Sequence, residues 1–424
     1  MTMRRQGGGR SSPRAAPGSV PSFGARAVGG LRAQEAWLAP GLAVAGLVVV
    51  AVLTASLFGG RVPLGSLPGL VATPRPTPDP VIVVPAKKTN VLGTVLFVKG
   101  GNVWAASGTD VRQLSSTTTD SSPAWTSDGE WIYLIETRTR EDVRFPYQGS
   151  PSRYTLHYPV IVRMHADGGG REDVADSLYR TGTGRRYTYH VWYLQPAPDP
   201  NGGRIALVSD GPNPVGRDPI IQFMPAEGGK LTSLGLPFTV QLGLADPTWR
   251  PDGLAIAYTR YDRSGFEPAH RIGIYDVKTK KVKALTGAGY SQPAWSPDGR
   301  YLAAVRWVQF KRDVVILDAR TGAEVTALTD DGASWAPAWS PAGDAIIFLT
   351  ASGPDIDLEM ALLVRSGSLF VVADRQPVTD HSLLDGSSRP SWYVPPAQLP
   401  SPTPAPTPTA SAATTPPAGA SASP

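Results

Sequence analysis

The sequence predicts an all-β fold, a closed β-propeller, on three observations. Glycine (45) and proline (43) together make up more than one in five of the 424 residues. That excludes a helical bundle, because interior prolines break helical hydrogen bonds and glycines cost conformational entropy. The chain is nevertheless 41% apolar and holds 11 tryptophans, enough for a large core of short strands. The third observation is a phrase that recurs: QPAWSPDGRYLAAV at 292–305, APAWSPAGDAIIFL at 336–349, DPTWRPDGLAIAYT at 246–259, SPAWTSDGEWIYLI at 122–135 and a weaker PAPDPNGGRIALVS at 196–209. Repetition at 45 to 75 residues is the mark of a radial array of sheets.

Before the repeats come three segments. Residues 1–36 form a basic arm with six arginines and a single acid, Glu35, and read as disordered. Overall there are 40 basic and 35 acidic residues, so the chain beyond the arm carries 34 of each. The net charge of +5 therefore belongs to the arm, and nucleic acid is not an expected partner. Residues 37–58 contain no charge and, as a helix rising about 1.5 Å per residue, would cross a bilayer. Arginines precede them, so the expected topology is a single-pass cell-membrane protein, its N-terminus cytoplasmic and the rest extracytoplasmic. A cleaved signal peptide is the competing reading, but no A-x-A site follows the apolar run. Residues 59–92 are a Pro/Thr-rich linker, stiff and extended.

The propeller is expected over 93–394. Each complete phrase is a strand, a Pro-Asp-Gly turn and a second strand, with proline presetting φ and glycine accepting a positive one. A further strand pair follows, as in RIGIYDVKTKKVKALT (271–286) and DVVILDARTGAEVTALT (313–329). Residues 93–115 supply three strands without a preceding Pro-Ala-Trp strand, and RPSWYV (389–394) supplies that strand alone. The two ends should therefore pair into one sheet, giving six blades with no exposed edge. Residues 395–424, with ten prolines and no charge, form a Pro/Thr/Ala-rich disordered tail.

The phrase xPAWSPDGRxLA, followed by IYxxDxxTG and xLT, resembles the TolB-type (WD-like) propeller repeat over 93–394, roughly 70% of the chain. The resemblance implies a six-bladed propeller of the kind found in an envelope protein that binds other proteins. This chain departs from that pattern in having a membrane segment and spacer where TolB has a small α/β domain. Its sixth blade also departs from the repeat in the outer strands (359–374). Such repeats occur as well in propellers attached to prolyl-oligopeptidase-like peptidases and in polysaccharide lyases, so fold does not dictate function.

Chemistry is sparse. The absence of cysteine removes disulfides, thiolate metal sites and a cysteine nucleophile. No G-x-S-x-G nucleophile elbow is present, and no phosphate-cradling glycine loop opens a helix. The five histidines are scattered, and His165 with Asp167 fits a strand-and-turn consensus better than a metal site. Neither metal nor cofactor is expected. Trp125, Trp249, Trp295, Trp339 and Trp392 share one motif position and should pack between blades rather than form a platform for sugars. Asp128, Asp252 and Asp298 read as turn formers.

The positive signal lies in the loops. Strand alternation places the Pro-Asp-Gly turns on one face and the long insertions, 138–157, 180–190, 209–219, 260–270 and 379–388, on the other. Residues 137–193 hold seven of the 14 tyrosines, nine arginines and three of the five histidines. Tyrosine and arginine combine contact area with hydrogen bonding and are enriched at binding hot spots. The expected contacts are Arg144, Tyr147, Tyr154, Arg185, Arg186, Tyr187 and Tyr189, facing an envelope protein or a cell-wall polymer. The expected function is a membrane-anchored, extracytoplasmic, non-enzymatic binding or scaffold module. The alternatives are a propeller-type glycan lyase or hydrolase working in the central cavity, and an extracytoplasmic sensor domain.

Overall fold

The computed structural model describes residues 89–147, 150–181, 187–211, 218–235, 242–264, 267–367 and 369–400. The basic arm, the apolar segment 37–58, most of the linker and the tail beyond 400 lie outside the described residues. Among the described residues no helix is long and apolar enough to cross a membrane.

Blade 1 takes β1 (Val91–Lys99), β2 (Asn102–Gly108) and β3 (Asp110–Gln113). Blade 2 has β4 (Asp120–Trp125), β5 (Trp131–Tyr147), β6 (Ser150–His165) and β7 (Glu172–Asp176), followed by a separate hairpin of β8 (Leu178–Thr181) and β9 (Tyr187–His190). Blade 3 has β10 (Leu194–Pro198), β11 (Arg204–Ser209), β12 (Ile220–Pro225) and β13 (Thr232–Ser233). Blade 4 runs β14 (Leu244–Trp249), β15 (Ala255–Arg260), a small hairpin of β16 (Arg263–Ser264) and β17 (Glu267–Pro268), then β18 (Arg271–Asp276) and β19 (Val282–Ala284). Blade 5 has β20 (Tyr290–Trp295), β21 (Tyr301–Val308), β22 (Lys311–Asp318) and β23 (Glu324–Ala327). Blade 6 has β24 (Ser334–Trp339), β25 (Ala345–Ser352), β26 (Asp355–Ser366) and β27 (Leu369–Pro377). The last strand, β28 (Ser391–Tyr393), returns to blade 1 and pairs antiparallel with β1, Val95 opposite Trp392. Each of the six sheets is four-stranded, and the ring closes as the sequence predicts.

The core is divided among the six blade interfaces. Leu96 and Val103 of blade 1 pack with Ile132 and Val162 of blade 2; Ile135 and Ile161 pack with Ile205 and Leu207 of blade 3. Ala206 and Ile221 meet Ile256 and Tyr258, and Ala257 and Ile272 meet Leu302 and Val315. Ala303 and Ile316 meet Ile346 and Phe348, and Ile347 and Leu358 close the circle on Val95 and Phe97. The alternating buried residues of each central strand feed both neighbours, the pattern expected of strands covered on both faces. Trp125, Trp249, Trp295, Trp339 and Trp392 each join the cluster shared with the preceding blade. Blade 3 has Pro198 at that position, and Trp131 fills the adjoining interface from the neighbouring blade.

The turns follow their chemistry. Gly129, Gly253, Gly299 and Gly343 have φ between +67° and +77°, which glycine adopts without a Cβ clash. Asp128, Asp252 and Asp298 accept the backbone N–H two residues on, at 3.0, 2.9 and 3.0 Å. His165 stacks on Trp131 at 4.1 Å, and the Asp167 carboxylate accepts the Gly169 N–H within the next turn. These residues shape turns, as expected.

One expectation needs correction. The insertion 138–157 is not an open loop: β5 and β6 stay paired from Thr137 opposite Pro159 to Tyr147 opposite Ser150, interrupted by one bulge between Arg140 and Val143. Strand-forming Thr, Val, Tyr and Leu on both arms extend the ladder beyond the four-stranded sheet. The outer strands of blade 6, although divergent from the repeat in sequence, form the expected strand pair, matched from Glu359 opposite Pro377 to Ser366 opposite Leu369 with one register shift between Leu362 and Leu363.

Candidate functional site

Two regions carry the candidate chemistry, and they lie on opposite faces of the ring. Antiparallel alternation puts the connections between second and third strands, and those between blades, on one face. The turns between first and second strands lie on the other.

On the first face, the β5–β6 ribbon projects past the last sheet-paired position, Glu136, for about 35 Å at ~3.3 Å per residue. The β8–β9 hairpin packs beside it against β5. Arg144 is exposed and sits opposite Arg153 across the ribbon, and Tyr154 is 39% exposed opposite Val143. Tyr147 ends β5. Tyr187 and Tyr189 are half-buried on β9, and Tyr189 stacks on Tyr179 with ring centroids 5.6 Å apart. Arg185 and Arg186 lie outside the described residues.

Several arginines counted toward this face serve the blade itself. Arg138 holds Glu136 at 2.9 Å and Asp173 at 2.6 Å, locking the root of the ribbon to β7. Hydrogen bonding from Arg138, opposed by burial and reinforced by Arg171, holds the Glu136 carboxyl below the usual carboxylate range. The same Arg138 hydrogen bond lowers Asp173. Arg171 reaches the buried Asp120 at 2.5 Å, and Arg163 joins Glu172 to Glu227 of blade 3 while lying over Trp131. Composition overstates the arginine available for a partner.

The second region is the central channel. It opens between the tight turns as a cavity of about 510 Å³ walled by the first strands of all six blades, mostly by their prolines and tryptophans. The residue before the proline in each strand forms a ring: Ser122, Gln195, Asp246, Gln292, Ala336 and Arg389. Five of them have φ between +50° and +54°, a left-handed conformation that costs a non-glycine residue roughly 1 kcal/mol or more. Each marks a bulge against the second strand. The N–H groups freed from the ladder are mostly taken up by the preceding blade. Asp246 N donates to Gln195 Oε1 at 2.7 Å, Gln292 N to Thr259 Oγ1 at 2.8 Å, and Ala336 N to Gln292 Oε1 at 2.9 Å. Ser122 N donates to Ser388 Oγ at 3.2 Å. The Asp246 carboxylate accepts from Gln195 Nε2 at 3.0 Å and from the Thr259 hydroxyl at 2.7 Å. The result is a hydrogen-bonded girdle around the waist of the channel.

Arg389 occupies the sixth position of this ring. Its Nη2 donates to the carbonyls of Pro293 at 2.8 Å and Pro337 at 3.3 Å. Burial pushes its pKa down, while Asp246 and Tyr261 favour the charge. Around it, Trp249 donates its indole N–H to Ala197 O at 2.9 Å and Trp392 to Leu92 O at 2.8 Å. The indole N–H groups of Trp125, Trp295 and Trp339 are buried without an acceptor among the described residues. Among the described residues no group of three or more His, Asp or Glu side chains is arranged to hold a metal ion.

The sequence reasoning missed Arg389, since RPSWYV reads only as a closing strand. Its position immediately before the repeat's proline was the available signal.

No protein-family model matches the chain. An uncharacterized protein of Agrobacterium fabrum is 28% identical over 161 residues, which is 37% of this chain. The match spans 44% of that relative, less than half its length. Among solved structures, TolB from Acinetobacter baumannii is similar with a TM-score of 0.48 and 19% identity, over 70% of this chain and 66% of that one. A TolB-type protein from Agrobacterium tumefaciens gives a TM-score of 0.47 and 16% identity over 72% and 95%. An oligogalacturonate lyase from Vibrio parahaemolyticus gives 0.41 and 14% over 61% and 71%.

Proposed function

We propose that this protein is a non-enzymatic binding or scaffold module of the cell envelope, held at the membrane by residues 37–58 with its propeller on the extracytoplasmic side. Its partner, an envelope protein or cell-wall polymer, docks on the ribbon face through Arg144, Tyr147, Tyr154, Arg185, Arg186, Tyr187 and Tyr189. The observation that carries this reading is the long β5–β6 ribbon, a paired element that adds no strand pairing to any blade beyond Glu136. A two-stranded ribbon is marginal on its own in water, so its length is a cost to folding unless it serves recognition. The adjoining hairpin brings further tyrosines to the same side, and a rigid ring beneath keeps both in register. In this arrangement the membrane segment confines the ring to the surface, and the Pro/Thr-rich linker sets its reach.

The test shortens the ribbon by replacing residues 140–156 with a two-residue turn, which keeps Arg138 and its pairs to Glu136 and Asp173, in parallel with the Arg185→Ala, Arg186→Ala double variant. Both should unfold within a few degrees of the wild type, because the ribbon lies beyond the last sheet-paired positions. Envelope components captured by the wild type should be lost from both variants. Equal retention by the shortened ribbon would overturn the reading.

A further inference from the structure

The channel on the opposite face contains a charge whose placement the docking ribbon does not explain. Arg389 lines the cavity, and its guanidinium, which stays protonated in proteins, donates from Nη2 to two carbonyls. Nε and Nη1 have no partner among the described residues, and no carboxylate there lies within ion-pair distance of it. Asp246, the acid on the same ring, has both oxygens engaged by Gln195 and Thr259. A half-buried cation whose hydrogen bonds go to neutral carbonyls, with Asp246 favouring its charge from beyond ion-pair distance, is undercompensated, and a ligand carboxylate accepting from Nε or Nη1 would add a charge-assisted hydrogen bond. The rest of the wall is mixed, with its larger share apolar: Pro123, Pro196, Pro247, Pro337 and the tryptophans of the repeat alternate with polar side chains such as Ser122, Thr248 and Ser391. A cavity of about 510 Å³ lies in the size range of small-molecule sites, where an apolar wall holds the body of a ligand and a few polar groups fix its orientation.

We propose that the central channel is a small-molecule site for a monocarboxylate with an apolar, ring-sized body, its carboxylate paired with Arg389 and its body against the proline–tryptophan wall. The site is independent of the ribbon face, so either assignment can fail without the other. Strand alternation supplies the geometry. Five strand entries carry a bulge at the residue before the proline; at the sixth, in blade 1, Arg389 holds the same place in the sequence pattern and lines the cavity without one, and it is the ring's one cation. Asp246, on the same ring, opposes anion binding, which gives the site a second residue with a predicted effect of opposite sign.

Tryptophans in the wall make a built-in reporter. Benzoate is titrated into the intact chain in detergent while tryptophan emission and heat of binding are followed, with benzamide and glucuronate as controls. Benzoate should bind saturably and at least tenfold more tightly than neutral benzamide or polar-bodied glucuronate. Arg389→Gln should abolish the preference for benzoate over benzamide. Asp246→Asn should tighten benzoate several-fold and leave benzamide unchanged, a gain that misfolding cannot produce. Equal affinity for benzoate and benzamide, or no saturable response to benzoate, would overturn the proposal. Binding of glucuronate without benzoate would overturn the apolar-body assignment. An unchanged benzoate preference in folded Arg389→Gln would remove Arg389 from the site.

Discussion

Thr259 shows how much depends on single polar atoms at the channel waist. It is fully buried, donates to Asp246 Oδ2 at 2.7 Å and accepts the Gln292 N–H at 2.8 Å, so one hydroxyl links blades 4 and 5. Thr259→Val keeps the shape but leaves a carboxylate oxygen and a backbone N–H without partners. Each unsatisfied buried group costs about 1–3 kcal/mol, so a loss of roughly 2–6 kcal/mol is expected. Urea unfolding should show a lower midpoint at an unchanged slope; a loss of under half a kcal/mol in unfolding free energy would show that the girdle contributes little. Little of this was legible in the sequence. The tryptophans and turn aspartates announce themselves by recurring, and both occupy the places their recurrence implies. The ring position holds no consistent type: apart from the glutamines Gln195 and Gln292, its residues Ser122, Asp246, Ala336 and Arg389 all differ in chemistry. Five of the six share a backbone angle, and residues before proline ordinarily favour extended conformations, so positive φ could not be inferred there.

For the elements, the sequence located the insertions but not their form. Residues 138–157 carry Arg, Glu, Asp, Ser and Pro among their β-formers, a mixture that reads as a loop when pairing is invisible. Pairing with a second arm converts it into a ribbon, and the Arg138 fork to Glu136 and Asp173 secures its root. That fork makes the root acid-sensitive. Both carboxyls are lowered in the folded state, chiefly by Arg138. Their contribution is therefore complete above the unfolded carboxylate range of about pH 4 and is lost as pH falls through their lower folded values. Wild type and Arg138→Gln should differ in thermal stability at pH 6, and the difference should shrink steadily between about pH 4 and pH 2. A pH-independent difference would show that Arg138 acts through packing of its stem alone. Half-exposed pairs are screened by salt, so the effect should be clearest at low ionic strength.

In the whole molecule, closure converts a row of blades, each held by its neighbours, into a ring without ends. Blade number and closure were legible because both depend on counting strands, including the three at one end and the one at the other. The channel was not, because its wall exists only after six separate strands converge. β28 contributes more than three ladder positions. Trp392 packs into the interface between blades 6 and 1 and donates its indole N–H to Leu92 O, Ser391 Oγ accepts the Trp125 backbone N–H at 3.1 Å, and the Tyr393 hydroxyl donates to Asp128 O at 2.8 Å. One short strand thus ties blades 1, 2 and 6. Trp392→Ala retains the backbone pairing and loses packing, at about 2–4 kcal/mol for a partly exposed indole. Deleting residues 388–400 removes pairing as well, bares the edge of β1 and takes Arg389 from the channel. An unpaired edge on a long apolar strand invites strand addition from a second molecule. The deleted chain should therefore unfold in more than one step and elute as concentration-dependent oligomers, whereas Trp392→Ala should remain monodisperse with a lower midpoint. If the deleted chain stayed monodisperse and unfolded in one step at the wild-type temperature, closure by β28 would be incidental, and the interfaces between blades would suffice to hold the ring.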